Sequence, residues 1–165
     1  MMTTVYANWG QSRVKLSWNP SLQPPRPEFI TSAHGFCFYE ERMLLVDINS
    51  RGWGFPGGHV ETNESPLDCV KREVLEEACV EGDCRYLGFV EVNHSENPAW
   101  TNDSPYPLIG YQAIYRMDIT QVHPFQAIFE SAHRTFINPG KVNQYIKDWH
   151  DVYEAILQNA ILQVK

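Results

Sequence analysis

GGHVETNESPLDCVKREVLEEACV, running from Gly57 to Val80, opens on a glycine pair and closes on an acidic helix. Ser65 can cap the helix, Pro66 suits its first position, where a missing N–H has no partner to lose, and Asp68 stands where a capping-box acid would sit. Leu67, Val70, Val74 and Ala78 recur at helical spacing and form the expected buried stripe, with Cys69 joining that face. The spacing predicts a helix over Ser65–Cys79.

Arg72, Glu73, Glu76 and Glu77 all fall on that helix. Glu73 and Glu77 share a face, Glu76 lies one turn from Glu73 on the adjoining edge, and Arg72 lies one turn before Glu76. Like charges at this spacing repel, so a cation or the arginine should offset them. Mg²⁺ fits, because a hard divalent ion takes carboxylate and phosphate oxygens and would bridge the acids to an anionic substrate. Such an ion also lowers the pKa of a bound water, or clamps attacking and leaving oxygens. The upstream glycines let the backbone pass close to ion or substrate, since no Cβ intrudes. Taken alone, the acids more often mean a solvated helix face.

The complete spacing is more specific. Gly58 is followed by five residues and then Glu64, and seven more lead to Arg72-Glu73-Val74-Leu75-Glu76-Glu77-Ala78-Cys79-Val80. This resembles the Nudix box: G, five residues, E, seven residues, then R-E-U-x-E-E-x-G-U with U apolar. Every defined position matches except Cys79, where the family usually has glycine. The preceding Trp53-Gly54-Phe55-Pro56-Gly57 resembles the family's common approach to the box. The match is tight over the 23 residues of the box, and the order of strands and helices is compatible with the family over residues 29–162.

The resemblance implies an α/β fold, an α/β/α sandwich around a mixed β-sheet in which the box forms a loop–helix–loop. It implies hydrolysis of a nucleoside diphosphate linked to another moiety: a nucleotide sugar, an ADP-ribose-like compound or a nucleoside triphosphate. Carried over by position, Glu73, Glu76 and Glu77 are the Mg²⁺ ligands, with Mn²⁺ an expected substitute and the Gly58 carbonyl a further ligand. Arg72 orients the glutamates through Glu64 or Glu76. Gly57, Gly58, Glu61 and Glu64 shape the loop at the cation. A general base must reach the attacking water directly or through one more water. Glu76 is the first candidate, Glu130 in FESAHRTF the later-loop one, and Glu96 and Asp103 weaker options. For Glu130 a plain surface acid is an equal reading. At Cys79, glycine would allow a left-handed backbone as the helix ends, a conformation in which cysteine carries a steric cost. Gly82 offers a later end to the helix. Since every metal-binding carboxylate is present, the activity is expected to survive this departure.

Substrate signatures are sparser. The proline of the family's ADP-ribose subgroup would fall near Ser95 and Glu96, whereas the nearest is Pro98. The diadenosine polyphosphate tyrosine is replaced by Asn97 and Pro98, and the upstream coenzyme A signature is absent. Trp53, Trp100, Tyr106 and Tyr111 are candidates to stack on a base, although most aromatics in a domain are core.

Upstream of the box, Arg13–Trp18 alternates and reads as a short strand before the cluster Pro20, Pro24, Pro25 and Pro27, which suits neither strand nor helix interior. Residues 1–28 read as an N-terminal extension, a hairpin packed on the domain, and residues 29–165 as the Nudix domain. Phe29–Tyr39 and Met43–Ile48 read as a hairpin turning at Glu40–Arg42, and Asn49–Gly58 as a loop. Downstream, Arg85–Asn93 and Leu108–Asp118 read as strands flanking a polar loop, Glu96–Pro107. Gln121–Pro139 reads as irregular with a short strand around Arg134–Ile137. Val142–Val164 reads as one long amphipathic helix with Tyr145, Ile146, Trp149, Val152, Tyr153, Ile156, Leu157 and Ile161 on its apolar face.

The chain has 165 residues, 43% hydrophobic and 20% charged, enough for one domain with a real core. Its net charge of −7 gains little from attraction to DNA or RNA phosphates. With no basic stripe, nucleic acid is not an expected partner, and RNA decapping is disfavoured. No apolar run nears the ~18 residues of a membrane span, and Met1–Lys15 lacks a charged start followed by an apolar stretch. The expectation is therefore no membrane partner and a cytoplasmic location. Cys37, Cys69, Cys79 and Cys84 contain no CxxC and read as buried reduced thiols. The histidines form no HxxxH pair. Two rival readings stand beside the hydrolase. An isomerase acting on an allylic diphosphate would need a further catalytic cysteine, with Cys37 the candidate. A nucleotide-sensing module would often have lost box glutamates, and Glu73, Glu76 and Glu77 are all retained. The expected partner is a small-molecule nucleoside diphosphate derivative, and the resemblance is compatible with a homodimer.

Overall fold

The structure is a computed structural model and describes residues 2–49 and 51–163. Its strands are β1 (Thr3–Trp9), β2 (Ser12–Asn19), β3 (Ile30–Tyr39), β4 (Arg42–Ile48), β5 (Gly52–Gly54), β6 (Gly57–His59), β7 (Val80–Asn93), β8 (Ile109–Val122) and β9 (Ser131–Ile137). Its helices are α1 (Pro66–Ala78) and α2 (Asp151–Leu162). The strand order is β1-β2-β7-β8-β3-β4-β5, with β6 paired to β3 and β9 to β4. β3 runs parallel to β8 and antiparallel to β4 and β6, so the sheet is mixed. One edge of β3 is shared. Phe38 and Tyr39 pair with β4, while Ser32, Ala33 and His34 pair with β6. The sheet therefore splits at β3, and the split admits the glycine pair.

Side chains alternate between faces along each strand, and each face carries its own helix. Ala33, Cys37, Leu44, Val46, Ala113 and Met117 pack with Cys69, Val70, Val74 and Ala78 of α1. Phe36, Phe38, Met43, Leu45 and Ile114 pack with Val152, Ile156, Leu157 and Ala160 of α2. Central strands buried on both faces read as near-continuous apolar runs, as Met43-Leu44-Leu45-Val46 does. β1 and β2 form an antiparallel hairpin, and β2 continues the sheet beside β7.

Several sequence expectations are corrected. Helix α1 keeps the expected end at Cys79, which adopts φ 57° and ψ 42°, and the later end that Gly82 offered is not used. The conformation is held from three sides. The Cys79 N–H donates to the Leu75 carbonyl at 3.0 Å, and the Cys79 carbonyl accepts from the His123 N–H at 2.9 Å and from Arg134 Nη1 at 3.3 Å. Leu67 is exposed, and the stripe is completed by buried Cys69 instead. The expected C-terminal helix is interrupted. A 3-10 turn covers Pro139–Gln144, Asp148 takes φ 59°, and α2 starts only at Asp151. His150 caps α2, its Nδ1 accepting from the Tyr153 N–H at 3.3 Å. Asp148 and His150 favour turns and caps over helix interiors, so the chain breaks there while Ile146 and Val152 still reach the core. The expected helix end at Val164 lies outside the described residues. The stretch expected as a loop, 49–58, holds β5 and β6, with Ser50 outside the described residues. β9 begins at Ser131 and β8 continues to Val122, both longer than their local patterns suggest. No described helix is long and apolar enough to cross a membrane.

Candidate active site

The glycine pair and α1 meet where β3 divides. A Cβ at Gly57 would lie 2.3 Å from His34 Nδ1 and 2.5 Å from the Ala33 carbonyl oxygen. A Cβ at Gly58 would lie 2.5 Å from the Glu73 carboxyl carbon. Gly57 demands glycine because the Ala33 backbone cannot give way, while the missing Cβ at Gly58 leaves room for the Glu73 carboxylate where it stands. The Gly57 N–H donates to Glu77 Oε1 at 2.8 Å. Glu77 is only 4% exposed, and burial pushes its carboxyl up to about 7, against the pull of the Gly57 N–H and reinforced by Glu73 and Glu130. Burial likewise raises Glu73, with Arg72 opposing.

Arg72 ties the loop to the helix. Its guanidinium donates to both oxygens of Glu64, Nε to Oε2 at 2.7 Å and Nη2 to Oε1 at 3.0 Å. Nη1 donates to Glu73 Oε1 at 3.0 Å and to Glu76 Oε2 at 3.3 Å, and Nη2 to the His59 carbonyl at 3.2 Å. The bond from Arg72 holds Glu64 down at about 2. Glu61 lies at the rim, its carboxylate 3.5 Å from Arg72 Nη1 and its N–H donating to Glu64 Oε1 at 3.0 Å. Glu64 thus closes the loop on Arg72, and Arg72 spreads its remaining donors over the helix acids.

Gly57, Gly58, Glu61, Arg72, Glu73, Glu76, Glu77 and Glu130 all line one cavity of about 1540 Å³. Glu64 stands behind Arg72, outside that lining. Glu130 is largely exposed and pairs with Arg51 at 3.5 Å. Glu96 and Asp103 do not line the cavity, and Glu96 accepts from the Tyr6 hydroxyl at 2.8 Å. Trp53, Trp100 and Tyr106 line it, whereas Tyr111 packs edge-on against Phe89 elsewhere on the sheet. The wall also includes His34, Arg51 and the Tyr6–Gly10 stretch of the hairpin, which sequence reading did not single out. Only the pairing of β6 with β3, and of β2 with β7, brings them here. An arginine just before the Trp53–Gly57 run is the one local signal that could have pointed to Arg51.

The donor set suits a hard divalent cation: carboxylate oxygens on one helix face, beside a glycine whose missing Cβ leaves room for Glu73. Two of these carboxylates are held above their ordinary range by burial, the environment in which a cation would be most favoured. Among the described residues, no three ligating side chains are yet gathered at one point. Glu73 and Glu76 turn toward Arg72, and Glu77 toward the Gly57 N–H. The Gly58 carbonyl faces Cys69, whose thiol donates to it at 3.5 Å.

Known proteins share this arrangement of chain. The structure is similar to that of a mutant of the Bacillus subtilis pyrophosphohydrolase BsRppH, at 20% identity, covering 92% of each chain with a TM-score of 0.70. It is similar to an ADP-ribose pyrophosphatase from Streptococcus suis, at 18% identity over 81% of this chain and 92% of that one, TM-score 0.56. The NUDIX domain of Shewanella oneidensis NrtR, complexed with ADP ribose, gives 17% identity, 82% and 88% coverage, and a TM-score of 0.59. At such identities the likeness concerns the fold, a mixed sheet between helices. Residues 30–161 also match the family model described as NUDIX domain. That match takes in the split strand, the glycine pair, α1 and α2, and the chain belongs to the NUDIX domain family.

Proposed function

We propose that the chain is a Mg²⁺-dependent hydrolase that cleaves a pyrophosphate linkage in a nucleoside diphosphate joined to another moiety, such as a nucleotide sugar, an ADP-ribose-like compound or a nucleoside triphosphate. The observation that carries this reading is the packing of Glu73 and Glu77 against Gly58 and Gly57 at the floor of one cavity. Glu73, Glu76 and Glu77 would hold the cation, with the Gly58 carbonyl beside them. When bound, the cation supplies charge neutralisation of the phosphates and activation of water. Arg72 fixes the carboxylates' directions. Glu76, partly exposed to the cavity, is the group assigned to accept the proton of the attacking water, and Glu130 is the second candidate.

The test is nucleotide or phosphate release from a panel of ADP-ribose, nucleotide sugars, dinucleoside polyphosphates and nucleoside triphosphates. Each is run with Mg²⁺, with EDTA, and with Glu77→Gln. Cation-dependent turnover that is lost in the variant supports the reading. Tight binding with no turnover of any compound would overturn it in favour of a nucleotide-sensing module. Glu76→Gln and Glu130→Gln, compared on the substrate so identified, separate the two base candidates.

A further inference from the structure

A second cavity, of about 240 Å³, adjoins the carboxylate cavity and shares His34, Arg51, Trp53 and Phe55 with it. Its walls are aromatic. Phe55 stacks on Phe36 at 3.9 Å between ring centres, and Tyr153 meets Phe55 edge-on at 5.6 Å. Gln112 and His150 supply polar groups. Small-molecule sites have this character: apolar and aromatic walls with a few polar groups that fix orientation.

Trp9 lines both cavities as well. It is the last residue of β1, set beside the turn at Gly10, whose φ of 63° permits the reversal. Val5, Ala7 and Trp9 share one face of β1. Val5 and Ala7 pack against the core under α2, and Trp9, one step further, is 47% exposed. Among the described residues its indole has no hydrogen bond or ring contact. Yet the hairpin that carries it is firmly mounted. β2 pairs with β7, the Tyr6 hydroxyl donates to Glu96 at 2.8 Å, the Arg13 N–H donates to Asn97 Oδ1 at 3.2 Å, and the Arg13 guanidinium lies 4.3 Å from the Tyr6 ring centre. A large aromatic held rigidly at a cavity mouth without a partner is a surface prepared for a flat ligand.

We infer that Trp9 is a specificity-determining residue: with Trp53 it forms the wall on which the aromatic base of the substrate stacks in the smaller cavity, while the phosphates face Glu73, Glu76 and Glu77. The hairpin, which lies outside residues 30–161, thereby completes the substrate site. This inference rests on the reading of the larger cavity as a site for a nucleoside diphosphate derivative, and it narrows that reading to compounds with a base in reach of Trp9.

The experiment compares the affinity of the full chain for the four nucleoside 5′-monophosphates with that for ribose 5-phosphate, by calorimetric titration. Wild type is expected to prefer at least one nucleotide, and Trp9→Ala to reduce that preference by about 5- to 150-fold, the range that stacking on one aromatic accounts for. Trp9→Phe, which keeps a ring, should retain most of it. A wild type that binds ribose 5-phosphate as well as every nucleotide, or a Trp9→Ala chain with its base preference intact, would overturn the inference. Because the titration needs no turnover, failure of the hydrolase reading is distinguishable: base preference without hydrolysis sinks that reading alone, and hydrolysis without base preference sinks this one alone.

Discussion

The guanidinium of Arg72 grips the Glu64 carboxylate at two points, 2.7 Å and 3.0 Å long, and this fork joins the end of the box loop to the middle of its helix. Paired, planar bonds of this kind fix geometry as well as adding energy. Glu64→Gln removes one acceptor charge and leaves Arg72 free to be drawn wholly onto Glu73 and Glu76. The expected loss of stability is about 1–3 kcal/mol, read as a lower urea midpoint. Because Arg72 holds Glu64 at about 2 against an ordinary 4.5, the contribution of Glu64 is present above pH 4.5 and is lost as pH falls toward 2. Acid unfolding of Glu64→Gln should therefore be shallower than that of wild type across that window. Identical acid profiles would show that the fork adds nothing to the fold.

Glu77 carries the opposite sign. Burial raises its carboxyl from 4.5 to about 7. The folded state thus holds a proton that the unfolded state has released, and this stabilisation, complete below pH 4.5, is lost as pH rises through 7. A divalent cation competes with that proton for the carboxylate. The rise in melting temperature on adding Mg²⁺ should be small at pH 6 and larger at pH 8, and Glu77→Gln should flatten the dependence. A Mg²⁺ effect equal at both pH values in wild type would remove Glu77 from the cation site.

Two glycines separate site geometry from stability. A Cβ at Gly58 meets only the far end of the Glu73 side chain, at 2.5 Å, which can swing away. At Gly82 it would meet the backbone oxygen of Asp118 at 2.2 Å, which cannot. Gly82→Ala should cost about 1–3 kcal/mol through overpacking between β7 and β8. Gly58→Ala should leave the melting temperature nearly unchanged while lowering kcat/KM by about 100-fold, because it displaces a carboxylate by the order of an ångström. Equal losses of stability in the two variants would mean that Gly58 serves the fold rather than the site.

The box helix was legible because its signals are local. Ser65 caps it, Pro66 starts it, and the Arg72–Glu77 spacing fixes which acids share a face. Its end at Cys79 was legible too, but how a cysteine holds the left-handed cap was not, since the partners of its carbonyl, His123 and Arg134, are distant in sequence. β5 and β6, and the first residues of β9, escaped for a similar reason. Their glycine-rich or polar segments become strands only because β3 and β4 offer free edges. Of the apolar stripe near the C-terminus, Ile146, Val152, Ile156 and Leu157 are buried while Tyr145 is exposed, and the period alone could not reveal that Asp148 and His150 interrupt the helix. Of the cavity wall, the acids were visible in the motif, while Trp9, His34 and Arg51 were not, because their neighbourhood is made by strand pairing.

His34 tests that neighbourhood directly. Its ring lies against Gly57, its Nε2 is 3.1 Å from Ser32 Oγ, and burial together with the charges of His59 and Arg51 lowers it to about 4. It is therefore neutral in the folded chain at pH values where an unfolded histidine, at 6.5, takes a proton. The unfolded state binds more protons between pH 4 and 6.5, so this stabilisation is present above 6.5 and is lost as pH falls through 4. Glu77 acts in the reverse direction over much of the same range, and the wild-type curve is the difference of the two. His34→Gln should tilt the pH–stability curve toward greater relative stability in acid, and Glu77→Gln should tilt it the other way. Urea midpoints at pH 5 and pH 7.5 for the three chains measure both tilts. If His34→Gln leaves the ratio of midpoints unchanged, the imidazole is as readily protonated in the fold as outside it, and its ring is not shut in by Gly57 and the cavity wall.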